Sequence, residues 1–162
     1  MSGVTLRPFQ RFLDAHRNDV WRYLVAAVGR HDADDCFQET FMAAMHAYPD
    51  LRPGSNDRAW VLTIAHRKAI DHFRARARRA LPAGDELPDA GGLDPPLLDE
   101  GGLWARVGAL PPKQRGAVLL RYVGDLTHAE VAAALDCSEE AARRSAHEGL
   151  KRLREDMGDA RV

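Results

Sequence analysis

Leu110–Arg154, LPPKQRGAVLLRYVGDLTHAEVAAALDCSEEAARRSAHEGLKRLR, decides the fold of the C-terminal part of this chain. Thr127-His128-Ala129-Glu130 fits a capping box, in which hydroxyl and carboxylate each satisfy a backbone N–H at a helix start. That helix is expected to end near Leu135. Asp136-Cys137 make a tight turn, and Ser138 caps a last helix running to about Asp156. Two short helices around a tight turn, the second with a positive face, form the layout of a helix-turn-helix that enters the DNA major groove. Arg143, His147 and Lys151 lie four apart and share a face, with Arg144 beside it. Arginine pairs with guanine edges through two hydrogen bonds, and lysine holds phosphate. Glu139, Glu140 and Glu148 dilute this charge, so a packed helix pair with an exposed basic side is the competing reading.

Working outward, a helix is expected around Leu103–Ala109 and another from Pro112 to Tyr122, with Pro112 suited to a first-turn position. Residues 81–102 hold four prolines, five glycines and six acids, with no Lys or Arg. Such a stretch sustains no helix and has too little apolar surface to fold alone. It reads as an acidic linker between a domain at 1–80 and a second at 103–162.

The first domain is helical by periodicity. Phe9, Phe12 and Leu13 open a short amphipathic helix. A second runs from about Asn18 to Val28, and Gly29 is its stop. A third starts near Asp32, with Asp32, Asp34 and Asp35 in its first turn, where the helix dipole favours acids. Phe37, Thr40, Phe41, Ala44 and Tyr48 carry it to Pro49. Residues Asp50–Asn56 form a loop, and Asp57 is the expected N-cap of a long fourth helix through Trp60, Ile64, Ala65 and Phe73. No useful strand-like alternation occurs, so the fold class is all-α, in two small domains.

Composition excludes more than it assigns. Acids and bases nearly balance, 24 against 23, so net charge alone does not point to nucleic acid. Cys36 and Cys137 stand far apart with no CxxC or CxxH beside them. They read as reduced, mostly buried thiols of a cytoplasmic protein, without a zinc site. No apolar run is long enough for a bilayer, and the N-terminus lacks a signal-peptide segment. Gly-rich phosphate loops, HExxH and GxSxG are absent, so no catalytic residue, metal or cofactor is expected. A second basic cluster, HRKAIDHFRARARR at His66–Arg79, sets Arg67, Lys68, Arg74, Arg76, Arg78 and Arg79 against one acid, Asp71. Cations along a helix that also carries Trp60, next to a polar loop, suit single-stranded nucleic acid. A solvated charged face is the plainer reading, and the Trp60 ring is more often core than platform.

Two segments together resemble a bacterial sigma factor of the sigma-70 family, of the short extracytoplasmic-function type. They are DADDCFQETFMAAMHAY (Asp32–Tyr48) with RAWVLTIAHRKAIDHFR (Arg58–Arg74), and LPPKQRGAVLLRYVGDLTHAEVAAAL (Leu110–Leu135) with the capped helix after it. The resemblance covers nearly the whole chain except the linker. It implies a sigma region 2 bundle and a sigma region 4 helix-turn-helix. Asp35, Gln38, Glu39, Thr40 and Phe41 match the patch that docks on the coiled coil of the polymerase β′ subunit. Leu51–Asp57 matches the loop that captures an extruded −10 base, which implicates Leu51, Arg52, Ser55 and Asn56. Trp60, His66, Arg67 and Arg74 lie on the helix that supports promoter melting. The last helix, with Ser138, Arg143, Arg144, His147 and Lys151, matches the −35 reader. The implied partners are core RNA polymerase, through β′ and β, promoter DNA and an anti-sigma factor.

The chain departs from that pattern in places. Family members often carry Arg-Asn where this chain has His66-Arg67, and Gly where it has Asp136, a residue that tolerates a left-handed turn. EAARRSAHEG (Glu140–Gly149) differs from the usual recognition helix by a shifted basic pair and a late glycine. A stand-alone helix-turn-helix regulator and a degenerate sigma-like interaction protein remain alternatives at this level. No further C-terminal domain is expected.

Overall fold

The computed structural model describes residues 7–80 and 102–159. Every regular element among them is a helix. The acidic linker at 81–102 lies, apart from Gly102, outside the described residues.

The first domain is a three-helix bundle of α1 (Phe9–Val28), α2 (Arg30–Ala47) and α3 (Asp57–Ala80). Its core holds Phe12, Tyr23 and Leu24 from α1, Cys36 and Ala44 from α2, and Leu62 and Ala65 from α3. Fully burying one such leucine is worth about 1.5–3 kcal/mol, so this apolar face fixes the bundle. The sequence expectation of two helices before Gly29 is corrected. Asp14–Asp19 contains no Pro or Gly to break the ladder, and α1 runs through it as one helix. Asp19 is instead held at helical register by Arg58, whose Nε donates to its carboxylate at 3.0 Å. Gly29 does end α1, with φ at 86°, the left-handed region that only glycine enters freely.

Two further boundaries shift. Helix α2 begins at Arg30, so only Asp32 of the three acids sits in its first turn. The N-cap of α3 is Asn56 rather than Asp57: the Asn56 Oδ1 accepts from the Ala59 N–H at 3.0 Å. Asp57 pairs with Arg7 at 3.4 Å.

The second domain packs α4 (Leu103–Gly108), α5 (Pro112–Val118), α6 (His128–Leu135) and α7 (Glu139–Asp159) around Leu110, Leu120, Leu126, Val131 and Leu153. The helix expected to reach Tyr122 regularly does not. Residues Leu119–Val123 form a wider π turn, with the Gly124 N–H bonded to the Leu119 carbonyl at 2.9 Å. A Cβ on Gly124 would stand 2.7 Å from the Leu120 carbonyl oxygen, so a bulkier residue would not close this turn.

Candidate polymerase and nucleic-acid interfaces

The helix-turn-helix forms as its sequence dictates. Thr127 and Glu130 make both bonds of the capping box, at 3.2 and 2.9 Å. Asp136 takes φ of 54° in the turn, and Ser138 Oγ accepts from the Ala141 N–H at 3.1 Å. Ala142, Ala146, Gly149 and Leu153 face inward at helical spacing, which turns Arg143, Arg144, His147 and Lys151 outward into solvent. Gly149 has a specific reason to be there. A Cβ would lie 2.7 Å from Cγ2 of Val118, so the late glycine lets α7 close on α5. Arg143 and Arg144 rest on Glu139 and Glu140 at 3.1 and 3.9 Å, all well exposed. Exposed pairs of this kind contribute about 0.2–1 kcal/mol at most, so they hold these arginines only weakly.

On α2 the expected patch divides. Asp35, Gln38 and Glu39 are exposed. Thr40 is fully buried and donates to the Cys36 carbonyl at 2.6 Å, while Phe41 is buried with its ring 4.8 Å from that of Phe37. The first three face solvent, and the last two pack inward and hold the helix. Sequence reasoning missed Met42 and Met45, which stand 58% and 50% exposed in continuation of that strip. Methionines at i, i+3 spacing beside the acids were the available signal. Cys36 is buried as expected, and Cys137 is only half-buried.

The loop before α3 places its residues unequally. Leu51 is buried and anchors the loop, whereas Arg52 and Ser55 are exposed. Ser55 Oγ donates to the Arg52 carbonyl at 2.6 Å, and Gly54 supplies φ of 86° between them. Asn56 caps α3 with its oxygen and donates from Nδ2 to the Glu130 carboxylate of α6. The Trp60 ring sits against Phe12, with centroids 5.6 Å apart, and near Tyr48, so here it serves the core. Arg67 and Arg74 are exposed, and Arg76 instead pairs with Asp32 at 3.6 Å.

His66 is displaced furthest from its expected surroundings. It is 5% exposed, with Nδ1 3.1 Å from the Tyr23 hydroxyl. Burial first, and then the charges of Arg115 and Arg67, push its pKa down to about 4, so the ring is neutral at pH 7. Arg115 lies beyond it, 6% exposed, with its guanidinium 4.6 Å from the Phe73 ring centroid and a bond to the Gly108 carbonyl at 3.1 Å.

Residues 12–79 match the family model for sigma-70 region 2, and residues 101–153 match that for sigma-70 region 4. The ECF RNA polymerase sigma factor SigC of Mycobacterium tuberculosis is 32% identical over 135 residues, which span 81% of this chain and 73% of SigC. The chain belongs to the sigma-70 family, in its extracytoplasmic-function branch. It is a promoter-specificity subunit of RNA polymerase, with a region 2 domain ahead of a region 4 domain. The sigma factor RpoE of Bartonella quintana, solved with the anti-sigma factor NepR, shares the fold at a TM-score of 0.72 and 21% identity, covering 93% of this chain and 96% of RpoE. CnrH, solved with the cytosolic domain of CnrY, aligns at 0.68 and 25%, covering 95% of this chain and 89% of CnrH.

Proposed function

We propose that the region 2 domain, residues 1–80, binds core polymerase and opens the −10 element, while the region 4 domain, residues 103–162, holds the −35 duplex. The observation that carries this division is the solvent-facing cationic row on α7, opposite the inward row of Ala142, Ala146, Gly149 and Leu153. Arg143, Arg144, His147 and Lys151 contact the −35 major groove, and Ser138 fixes the start of their helix. Asp35, Gln38 and Glu39, supported from beneath by Thr40 and Phe41, dock on a basic helix of the β′ coiled coil.

Leu51, Arg52, Ser55 and Asn56 form the loop that receives an extruded −10 base. Pocket contacts there offset an unstacking cost of a few kcal/mol. Arg67 and Arg74 hold the separated strand by its phosphates, and Trp60 and His66 shape the helix beneath it. The residues 81–102 tether the domains, and their acidity suits a basic polymerase channel. Polymerase supplies the chemistry, which needs no metal or small cofactor in this subunit. The site of action is the cytoplasm, and no helix among the described residues is long and apolar enough to cross a membrane. An anti-sigma factor is the fitting regulator, since both solved relatives above were captured with such a partner or with a cytosolic domain bound.

Footprinting tests this division. A holoenzyme of this chain and core polymerase is expected to protect the −35 region from nuclease and to leave −10 thymines reactive to permanganate. Protection at −35 without any −10 reactivity would remove the melting role. A bare −35 region would remove the α7 assignment.

A further inference from the structure

Helix α2 turns a continuous row outward. His31, Asp35, Gln38, Met42 and Met45 follow one another at alternating four- and three-residue steps, and all five are exposed. That spacing is the seam by which one helix lies along another, each side chain seated as a knob between residues of the facing helix. Ala33, Cys36, Thr40 and Ala44 are buried on the opposite side of α2, so the bundle itself does not use this seam.

The seam changes character along its length. Its first half is polar, with Asp35 and Gln38 flanked by Asp34 and Glu39. Its second half offers two thioethers beside the small side chains of Ala43 and Ala47. Exposed carboxylates steer and orient a basic partner more than they hold it. Apolar knobs that leave water on docking supply the grip. Met42 and Met45 are the large apolar side chains of α2 that stand exposed.

A thioether grip has one chemical weakness. An exposed methionine sulfur is open to two-electron oxidants, and the product is polar. With hydrogen peroxide, a sulfur lone pair attacks one oxygen, the O–O bond breaks as the S–O bond forms, and the proton on the transferred oxygen passes to the departing hydroxide. The thioether is oxidised to a sulfoxide and the peroxide is reduced to water. A sulfoxide oxygen packed into a hole needs a donor where the thioether needed none, and an unmet acceptor is costly to bury. The thiol beneath does not compete for the oxidant. Cys36 is buried, and burial first, then Glu39, Asp32 and Asp35, push its pKa up to about 12, which leaves it a thiol rather than the reactive thiolate.

We propose that Met42 and Met45 are oxidation-sensitive anchors of the polymerase-docking face, and that peroxide, by converting them to sulfoxides, weakens the hold of this chain on core polymerase. The inference rests on the docking role proposed above for α2. Methionine sulfoxide reductases reverse it, one for each sulfoxide epimer.

The full-length chain is treated with hydrogen peroxide, freed of it, and incubated with dithiothreitol, which restores disulfides and sulfenic acids and leaves sulfoxides in place. Peptide mass spectrometry is expected to find Met42 and Met45 oxidised at least as fast as Met157, which is exposed near the end of α7. Association with core polymerase is expected to fall at least ten-fold and to return to within two-fold of the untreated chain after both reductases. Met42→Leu with Met45→Leu is compared with itself before and after peroxide, and its association is expected to change less than two-fold. Met157→Leu is expected to keep the full loss. Met42 and Met45 left intact by peroxide that converts Met157 would overturn the proposal. So would an oxidised chain that associates as well as the untreated one, a loss that the reductases do not reverse, or an undiminished loss in the double variant. If the untreated chain does not associate with core polymerase, the docking role falls and the inference with it. If it associates and only the effect of peroxide is missing, the inference alone falls.

Discussion

Acidification is expected to destabilise this protein through His66 before most carboxylates protonate. An unfolded histidine titrates near 6.5, whereas burial and the Arg115 and Arg67 charges hold folded His66 near 4. Between those values the unfolded chain binds a proton that the folded chain refuses, so stability falls as pH drops. At pH 5 an unfolded histidine is almost wholly protonated and a folded one of pKa 4 is only about a tenth protonated, which makes the loss about 2 kcal/mol relative to pH 7. The figure is set mainly by the unfolded value, and it approaches its limit of about 3.4 kcal/mol only below pH 4. Urea denaturation of the wild type and of His66→Gln at pH 7, 6 and 5 isolates this contribution, because the other groups titrate alike in both. Glutamine retains an acceptor for the Tyr23 hydroxyl and carries no titrating proton. The gap between the two proteins is expected to shift by about 2 kcal/mol in the variant's favour between pH 7 and pH 5. A gap that does not change with pH would mean that His66 is not buried neutral between Tyr23 and Arg115.

Gly149→Ala tests the close approach of α7 to α5. The new methyl meets Val118 at 2.7 Å. An overpacking cost of about 1–3 kcal/mol outweighs the helix-propensity gain of about 1 kcal/mol, so a net loss is expected in urea denaturation. Arg143→Ala with Arg144→Ala is expected to weaken −35 duplex binding, with the log–log salt slope falling by about 2 if both contact phosphate, as measured by fluorescence anisotropy across salt concentrations. Unchanged affinity would count against the α7 face. Gln38→Ala with Glu39→Ala is expected to reduce core polymerase association at least ten-fold in a pull-down while leaving the circular dichroism spectrum unchanged, since both residues are exposed. Unaltered association would move the docking surface elsewhere.

Local chemistry made the helix-turn-helix legible in advance. The Thr127–Glu130 box, the left-handed Asp136 and the Ser138 cap are short-range devices that act within a few residues. The all-α bundle followed from apolar periodicity in the same way. Tertiary packing decided the remainder. Asn18-Asp19 carries residues that often cap helices, yet Arg58 holds Asp19 from another helix and α1 continues. Asn56 displaced Asp57 as a cap through a side-chain geometry that composition does not encode. The candidate sites divided along the same line. The cationic face of α7 was visible because its inward row is spaced for a helix, whereas the burial of Thr40, Phe41 and His66 depends on what packs above them. The late Gly149 looks like a weak point in a helix sequence. Its purpose emerges only when Val118 arrives where a Cβ would have stood.

The central claim is that this chain confers promoter specificity, and start-site-dependent transcription in a minimal mixture tests it most directly. Purified chain, bacterial core polymerase, nucleotides and a library of genomic fragments are combined at low ionic strength, and RNA 5′ ends are mapped. Discrete start sites that require the chain, each preceded by shared elements near −10 and −35, are the expected result. The same diffuse transcripts with and without the chain would contradict the account.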